Sequence, residues 1–172
     1  MHIIRLEKDN MLNGPGVRLV VWFRGCSHHC DECHNPETWS FTPEATDLPA
    51  LDDMTIAEIL GELDKPYYRG MSLTGGCPFC QNLDELYEFL SIIKRTLPQK
   101  DIWCWAGELY EDLLANEASR KCLEFIDVLV DGPYDKTRRE LTRYCGSTNQ
   151  RIIDVQDSLK QNTVVLRWGW AK

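Results

Sequence analysis

The run VRLVVWF at Val17–Phe23 constrains this chain more than any other stretch. It is a dense block of β-branched and aromatic residues, a composition that suits a buried strand. A turn cluster, Asn13-Gly14-Pro15-Gly16, precedes it, and Arg24-Gly25-Cys26 follows. Shorter apolar runs recur at 71–74 (MSLT), 102–105 (IWCW) and 126–130 (IDVLV), and a last strand is read at 163–168 (TVVLRW). Helical spacing appears between them, at 55–63, 83–97 and 109–115. In the second of these, Leu86, Phe89, Leu90 and Ile93 fall on one face. Asp53 or Thr55 is the expected cap of the first. The stretch 41–53 is mixed and contains proline, so a loop is expected there. Alternating strand and helix predict an α/β fold with a mainly parallel sheet and crossover helices. At 172 residues, one domain over 1–172 is expected. Ligands of such sheets bind beyond the C-terminal strand ends. Those ends carry Cys26, Gly75-Gly76, Ala106-Gly107 and Asp131-Gly132-Pro133.

The first strand runs into Cys26-Ser27-His28-His29-Cys30-Asp31-Glu32-Cys33, a C-x3-C-x2-C loop. Three thiolates can hold three irons of a cubane cluster and leave the fourth open to a substrate. The same spacing also suits structural zinc, with His34, His28 or His29 as a fourth ligand. Spacing alone leaves both open. Cysteines buried on one helical face are a third reading, opposed by Gly25 and the polar SHHCDEC composition.

Composition narrows the setting. Asp plus Glu outnumber Lys plus Arg by 27 to 19, a net charge of −8, which argues against a nonspecific nucleic-acid binder. The N-terminal MHIIRLEKDN lacks the apolar core of a signal peptide, and no stretch is long and apolar enough for a membrane span. A cytoplasmic location is therefore expected, where eight cysteines suggest metal or redox chemistry rather than disulfides.

Longer segments are more specific than the cysteine spacing. They are Gly14-Pro15-Gly16-Val17-Arg18, Cys33-His34-Asn35-Pro36-Glu37-Thr38-Trp39, Asp127-Val128-Leu129-Val130-Asp131-Gly132-Pro133 and Gly146-Ser147-Thr148-Asn149-Gln150-Arg151-Ile152-Ile153-Asp154. With them, from about residue 6 to residue 159, the chain resembles the radical S-adenosylmethionine glycyl-radical activases, in particular those serving anaerobic ribonucleoside-triphosphate reductase. The resemblance implies a partial (β/α) barrel, because 172 residues fall short of the ~250 of a full one. It implies a [4Fe–4S] cluster on Cys26, Cys30 and Cys33, through which these cysteines are catalytic. It further implies S-adenosyl-L-methionine held by Glu32, Cys33, His34, Gly75 and Gly76. The implied partners are the reductase and an electron donor such as a flavodoxin-type protein, with neither nucleic acid nor membrane.

One position departs from that pattern. The family usually has an acidic residue and then proline after Gly-Gly, where this chain has Cys77-Pro78-Phe79-Cys80. Cys77 and Cys80 are read as two thiols in a turn, or as a redox or metal pair. Cys104 and Cys122 are expected to be buried apolar residues, and Cys145 to be exposed near the site without a role. Asp131-Gly132-Pro133 and Asn149-Gln150-Arg151 are expected to shape the site or a partner surface. Arg138, Arg139 and Arg143 are read as a solvated helix face.

Overall fold

The computed structural model describes residues 1–45, 47–48, 52–142 and 144–167. Its elements run β1 (Ile3–Asn10), β2 (Val17–Phe23), α1 (Asp53–Leu63), β3 (Tyr68–Gly75), α2 (Leu83–Thr96) and β4 (Asp101–Trp105). They continue with α3 (Tyr110–Ala115), α4 (Glu117–Leu123), β5 (Val128–Asp131), β6 (Arg139–Thr142), β7 (Cys145–Ser147), β8 (Arg151–Asp154) and α5 (Val155–Gln161). Among the described residues one sheet has six strands in the order β1-β2-β3-β4-β5-β8. The central pairings β2–β3, β3–β4 and β4–β5 are parallel and joined by helical crossovers. Both edge strands are antiparallel to their neighbours. β6 and β7 form a separate small hairpin.

Pleating divides the sheet into two faces. Leu19, Val21, Phe23, Met71, Leu73, Ile102, Cys104 and Leu129 join the main core with Ile59 and Leu63 of α1 and with Leu86, Phe89, Leu90 and Ile93 of α2. The opposite face holds a smaller cluster of Trp103, Val128, Val130, Cys145 and Ile152.

Arg18 is fully buried. Its Nε donates to Ser72 Oγ (2.6 Å), one terminal nitrogen to Pro15 O (3.2 Å) and the other to Met71 O (2.7 Å). It also pairs with Asp101. One side chain thus ties the turn before β2 to β3 and β4. Gly14 makes room for it: at φ +112° a Cβ there would lie 2.9 Å from Arg18 Cδ.

Several sequence expectations need correction. α1 is capped by Asp52, whose side chain accepts from Thr55 N, and not by Asp53 or Thr55. The sheet begins with β1, unread because it is a largely charged strand buried only at Ile3 and Asn10. In 163–168, Leu166 makes one isolated bridge to Ile153 and no strand forms among the described residues, residue 168 lying outside them. Arg138 ends a short 3-10 turn and Arg139 opens β6, so they share no helix face; Arg143 lies outside the described residues. Cys104 and Cys122 are buried as expected, but Cys145 is buried too. Within the 41–53 loop, residues 46 and 49–51 lie outside the described residues.

Candidate functional site

A cavity of about 570 Å³ opens beyond the C-terminal ends of the parallel strands. β2 and the loop after it contribute Trp22, Cys26, His28, Cys30, Cys33 and His34. β3 and the turn after it contribute Thr74, Gly75, Gly76 and Cys77, and β4 and the residues after it contribute Trp105, Ala106 and Gly107. Gly132, Tyr134, Tyr144, Cys145, Gly146 and Gln150 close the far side. This is where a parallel α/β sheet places its ligands.

The cysteine loop is wound tightly enough to bring its three thiols to this cavity. Its base is pinned by Gly25 N–H to Thr38 O (2.7 Å) and Cys26 N–H to Trp39 O (3.1 Å). Arg24 anchors the same base by donating to Asp47 Oδ1 (2.7 Å). Cys33 N–H closes a turn on Cys30 O at 3.0 Å. His29 (φ 45°) and Glu32 (φ 55°) are left-handed, a conformation uncommon for such side chains and often found near functional sites. Asn35 N–H donates to Cys33 Sγ at 3.4 Å, and hydrogen bonds to sulfur tune a bound iron–sulfur group. Cys26, Cys30 and Cys33 are all half-buried.

Of the other residues expected to touch a ligand, His34, Gly75 and Gly76 line the cavity with Cys33. The His34 ring packs on Tyr134 with centroids 4.9 Å apart. The space left by Gly76 is already used, since a Cβ there would lie 2.4 Å from Gly25 O. Glu32 does not line the cavity; its exposed carboxylate lies 3.6 Å from Lys136 Nζ.

A second donor cluster sits at one corner. The turn at Pro78–Cys80 places Cys77 and Cys80 beside Glu108, which follows β4. Cys77 Sγ donates to Glu108 Oε2 at 2.9 Å, and Cys80 Sγ lies 3.6 Å from Glu108 Oε1. His28 Nε2 is 3.1 Å from the same Oε1. Cys80 is held far below the ordinary thiol range, first by its contact with Cys26 and then by Cys77. Cys26 is pushed up by that contact and by burial, and Cys77 is pushed up chiefly by burial. The His28 imidazole is raised to about 10 by Cys80 and then Glu108.

Two donor sets adjoin here, in contact through Cys26 and Cys80. Among the described residues, the donor atoms close enough to share one ion belong to His28, Cys77, Cys80 and Glu108, all within 4.8 Å of one another. The three loop cysteines line the cavity together with His28 and Cys77, and a three-thiol set fits a group with several metal atoms.

The two later motifs meet each other. Gln150 Nε2 donates to Gly132 O (3.0 Å) and Asn149 Nδ2 to Pro133 O (2.8 Å). Gln150 Oε1 in turn accepts from Gly146 N at 2.8 Å. Trp22, Trp105 and Tyr134 were not read from sequence as site residues. Tyr134 directly follows Asp131-Gly132-Pro133, and that adjacency was the available signal. Glu108 likewise follows the expected strand end at Ala106-Gly107.

Comparison with known proteins bears on this site. Residues 12–153 match the 4Fe-4S single cluster domain family. A protein of Enterobacteria phage T4 named anaerobic ribonucleoside-triphosphate reductase-activating protein is 36% identical over 160 residues, covering 92% of this chain and 97% of that protein. Proteins of the same name from Pasteurella multocida (34% identical, 88% of this chain and 96% of that protein) and Escherichia coli K12 (32%, 83% and 92%) are also similar.

Proposed function

Because this chain belongs to the family of anaerobic ribonucleoside-triphosphate reductase-activating proteins and carries a 4Fe-4S single cluster domain, we propose that it activates such a reductase by reductive cleavage of S-adenosylmethionine. Cys26, Cys30 and Cys33 would hold a [4Fe–4S] cluster. The observation that carries the reading is that all three thiols of the C-x3-C-x2-C loop line one cavity beyond the parallel strands.

The chemistry supplied by such a cluster is one electron to the sulfonium of S-adenosylmethionine, giving methionine and a 5′-deoxyadenosyl radical that takes a hydrogen atom from a glycine of the reductase. The chain's own residues bind, orient and exclude water. Asn35 N–H donates to Cys33 Sγ and fixes its orientation. Gly75 and Gly76 line the cavity at the end of β3, and His34 offers a ring held by Tyr134. Tyr134 has a buried hydroxyl with no hydrogen-bond partner among the described residues, available to a ligand in this cavity. Trp22, Trp105 and Tyr144 give the cavity apolar walls. Trp22, Thr74 and Trp105 reach it from one face of the sheet, which supports reading that face as the inside of a partial barrel. The electron donor would be a flavodoxin-type protein.

The test is anaerobic reconstitution with iron and sulfide, reduction, addition of S-adenosylmethionine and measurement of 5′-deoxyadenosine. Reductant-dependent product, lost in Cys26→Ala, Cys30→Ala and Cys33→Ala with circular dichroism unchanged, is expected. A four-iron cluster that yields no product even with the reductase present overturns the reading.

A further inference from the structure

The corner formed by Cys77, Cys80, His28 and Glu108 is not used by the reaction proposed above. We propose that these four residues form a mononuclear zinc site that uses none of the three loop cysteines and staples the end of β3 to the cysteine loop and the end of β4.

The geometry has three parts. First, Cys77-Pro78-Phe79-Cys80 is a preformed knuckle. Pro78 opens the 3-10 turn, where its missing N–H costs nothing, and Cys80 N–H closes on Cys77 O at 3.0 Å. Gln81 fixes the knuckle against the cysteine loop, its Nε2 donating to Arg24 O (2.9 Å), Gly25 O (3.1 Å) and Cys77 O (3.2 Å). Second, the imidazole of His28 lies over Gly107, where a Cβ would be only 2.3 Å from His28 Cδ2. Third, Glu108 places a carboxylate between the histidine and the thiols, at 2.9 Å from Cys77 and 3.1 Å from His28. His28 Nε2 is itself buried and makes no hydrogen bond of proper geometry despite that approach.

The donor set selects the metal. Two sulfurs, one imidazole nitrogen and one carboxylate oxygen form a soft-to-borderline tetrahedral set that suits zinc and not magnesium or calcium. Zinc bond lengths put tetrahedral donor atoms roughly 3.3–3.8 Å apart. The observed spread, up to 4.8 Å, closes to that with small side-chain rotations. Four protein ligands leave no open position, so the site is structural and not catalytic. Cys80 also contacts Ser27 Oγ at 3.2 Å, so the staple grips the first turn of the cysteine loop.

The site is tested on the full-length Cys30→Ala/Cys33→Ala double variant, which lacks two of the proposed cluster ligands. This makes the result independent of S-adenosylmethionine cleavage. Purified without added iron and titrated with zinc, the double variant should bind an equimolar amount by elemental analysis. Cobalt in its place should show thiolate charge-transfer and tetrahedral ligand-field bands. Adding Cys80→Ser should abolish both signals with far-ultraviolet circular dichroism retained. Should that variant not fold, Glu108→Ala decides, with zinc affinity expected to fall beyond the ~10–100-fold that loss of an outer partner costs. Absence of zinc from the double variant overturns the proposal. So does zinc affinity indifferent to Cys80 and Glu108, or assembly of an iron cluster that requires Cys80.

Discussion

Arg151 Nε donates to Asp131 Oδ1 at 3.0 Å, joining the start of β8 to the end of β5 at the rim of the cavity. Asp131 is fully buried and also accepts from Tyr110 N at 2.8 Å. The outer edge of the guanidinium grips Glu111 through two further bonds, of 2.9 and 2.6 Å. One arginine thereby holds β5, α3 and β8 in register.

Arg151→Ala is accordingly expected to cost about 2–4 kcal/mol, because it strands a buried carboxylate. The low end applies because Arg151 is itself part-exposed. Arg151→Lys should recover only a fraction, since an ammonium cannot reproduce the fork. Urea unfolding of the three proteins checks this, and equal midpoints would refute it.

Arg18→Met removes a buried cation whose partners lie on three segments, and about 3 kcal/mol of stability should go with it. Lysine should not rescue, because it cannot reach Ser72 Oγ, Pro15 O and Met71 O together. The lost stability should appear as a lower urea midpoint with the slope unchanged.

Glu62 carries a testable pH dependence. Its Oε1 accepts from Lys65 Nζ (2.6 Å) and Tyr68 Oη (3.1 Å), and Lys8 Nζ lies 3.1 Å from Oε2. Lys65 in particular holds the carboxyl down to about 2. An unfolded glutamate titrates near ~4.3. The folded value is the lower one, so this stabilisation is complete above ~4.3 and is lost as pH falls toward 2. Glu62→Gln should be less stable than the natural chain at neutral pH, with the gap closing between about pH 5 and pH 2. A constant gap across a pH series of unfolding midpoints would contradict it.

Tyr134→Phe separates ligand binding from folding. Its buried hydroxyl has no partner among the described residues, so deletion should leave the melting temperature unchanged or slightly higher. If S-adenosylmethionine takes that hydroxyl, its Kd should rise roughly five- to tenfold, worth about 1–1.4 kcal/mol. Equilibrium dialysis with the reconstituted protein reads the change.

The central fold is legible in the sequence because β2, β3, β4 and β5 are largely buried on both faces and read as compact, mostly apolar stretches. The outer parts are not. β1 is buried only at its two ends, with charged residues between, and β8 has only four residues. The hairpin of β6 and β7 has no apolar run to announce it. At the site, the cysteine spacing identified three thiols that do share a cavity. The corner cluster was half visible: Cys77 and Cys80 are adjacent in sequence, but Glu108 is 31 residues beyond Cys77. Only the parallel pairing of β3 with β4 brings that carboxylate back, and spacing rules do not reach across a crossover.

The antiparallel edge strands have a further consequence, for solubility. A sheet edge with unpaired amides invites another copy to add on as an extra strand. Here β1 guards one edge with Arg5, Lys8 and Asp9 exposed along it, and Leu48 N–H occupies Ile3 O at 2.9 Å. The other edge, β8, is covered by the chain's own return, with Asp154 N–H to Val165 O (2.8 Å) and Arg167 N–H to Ile152 O (2.9 Å). Both edges are thus closed to templated strand addition.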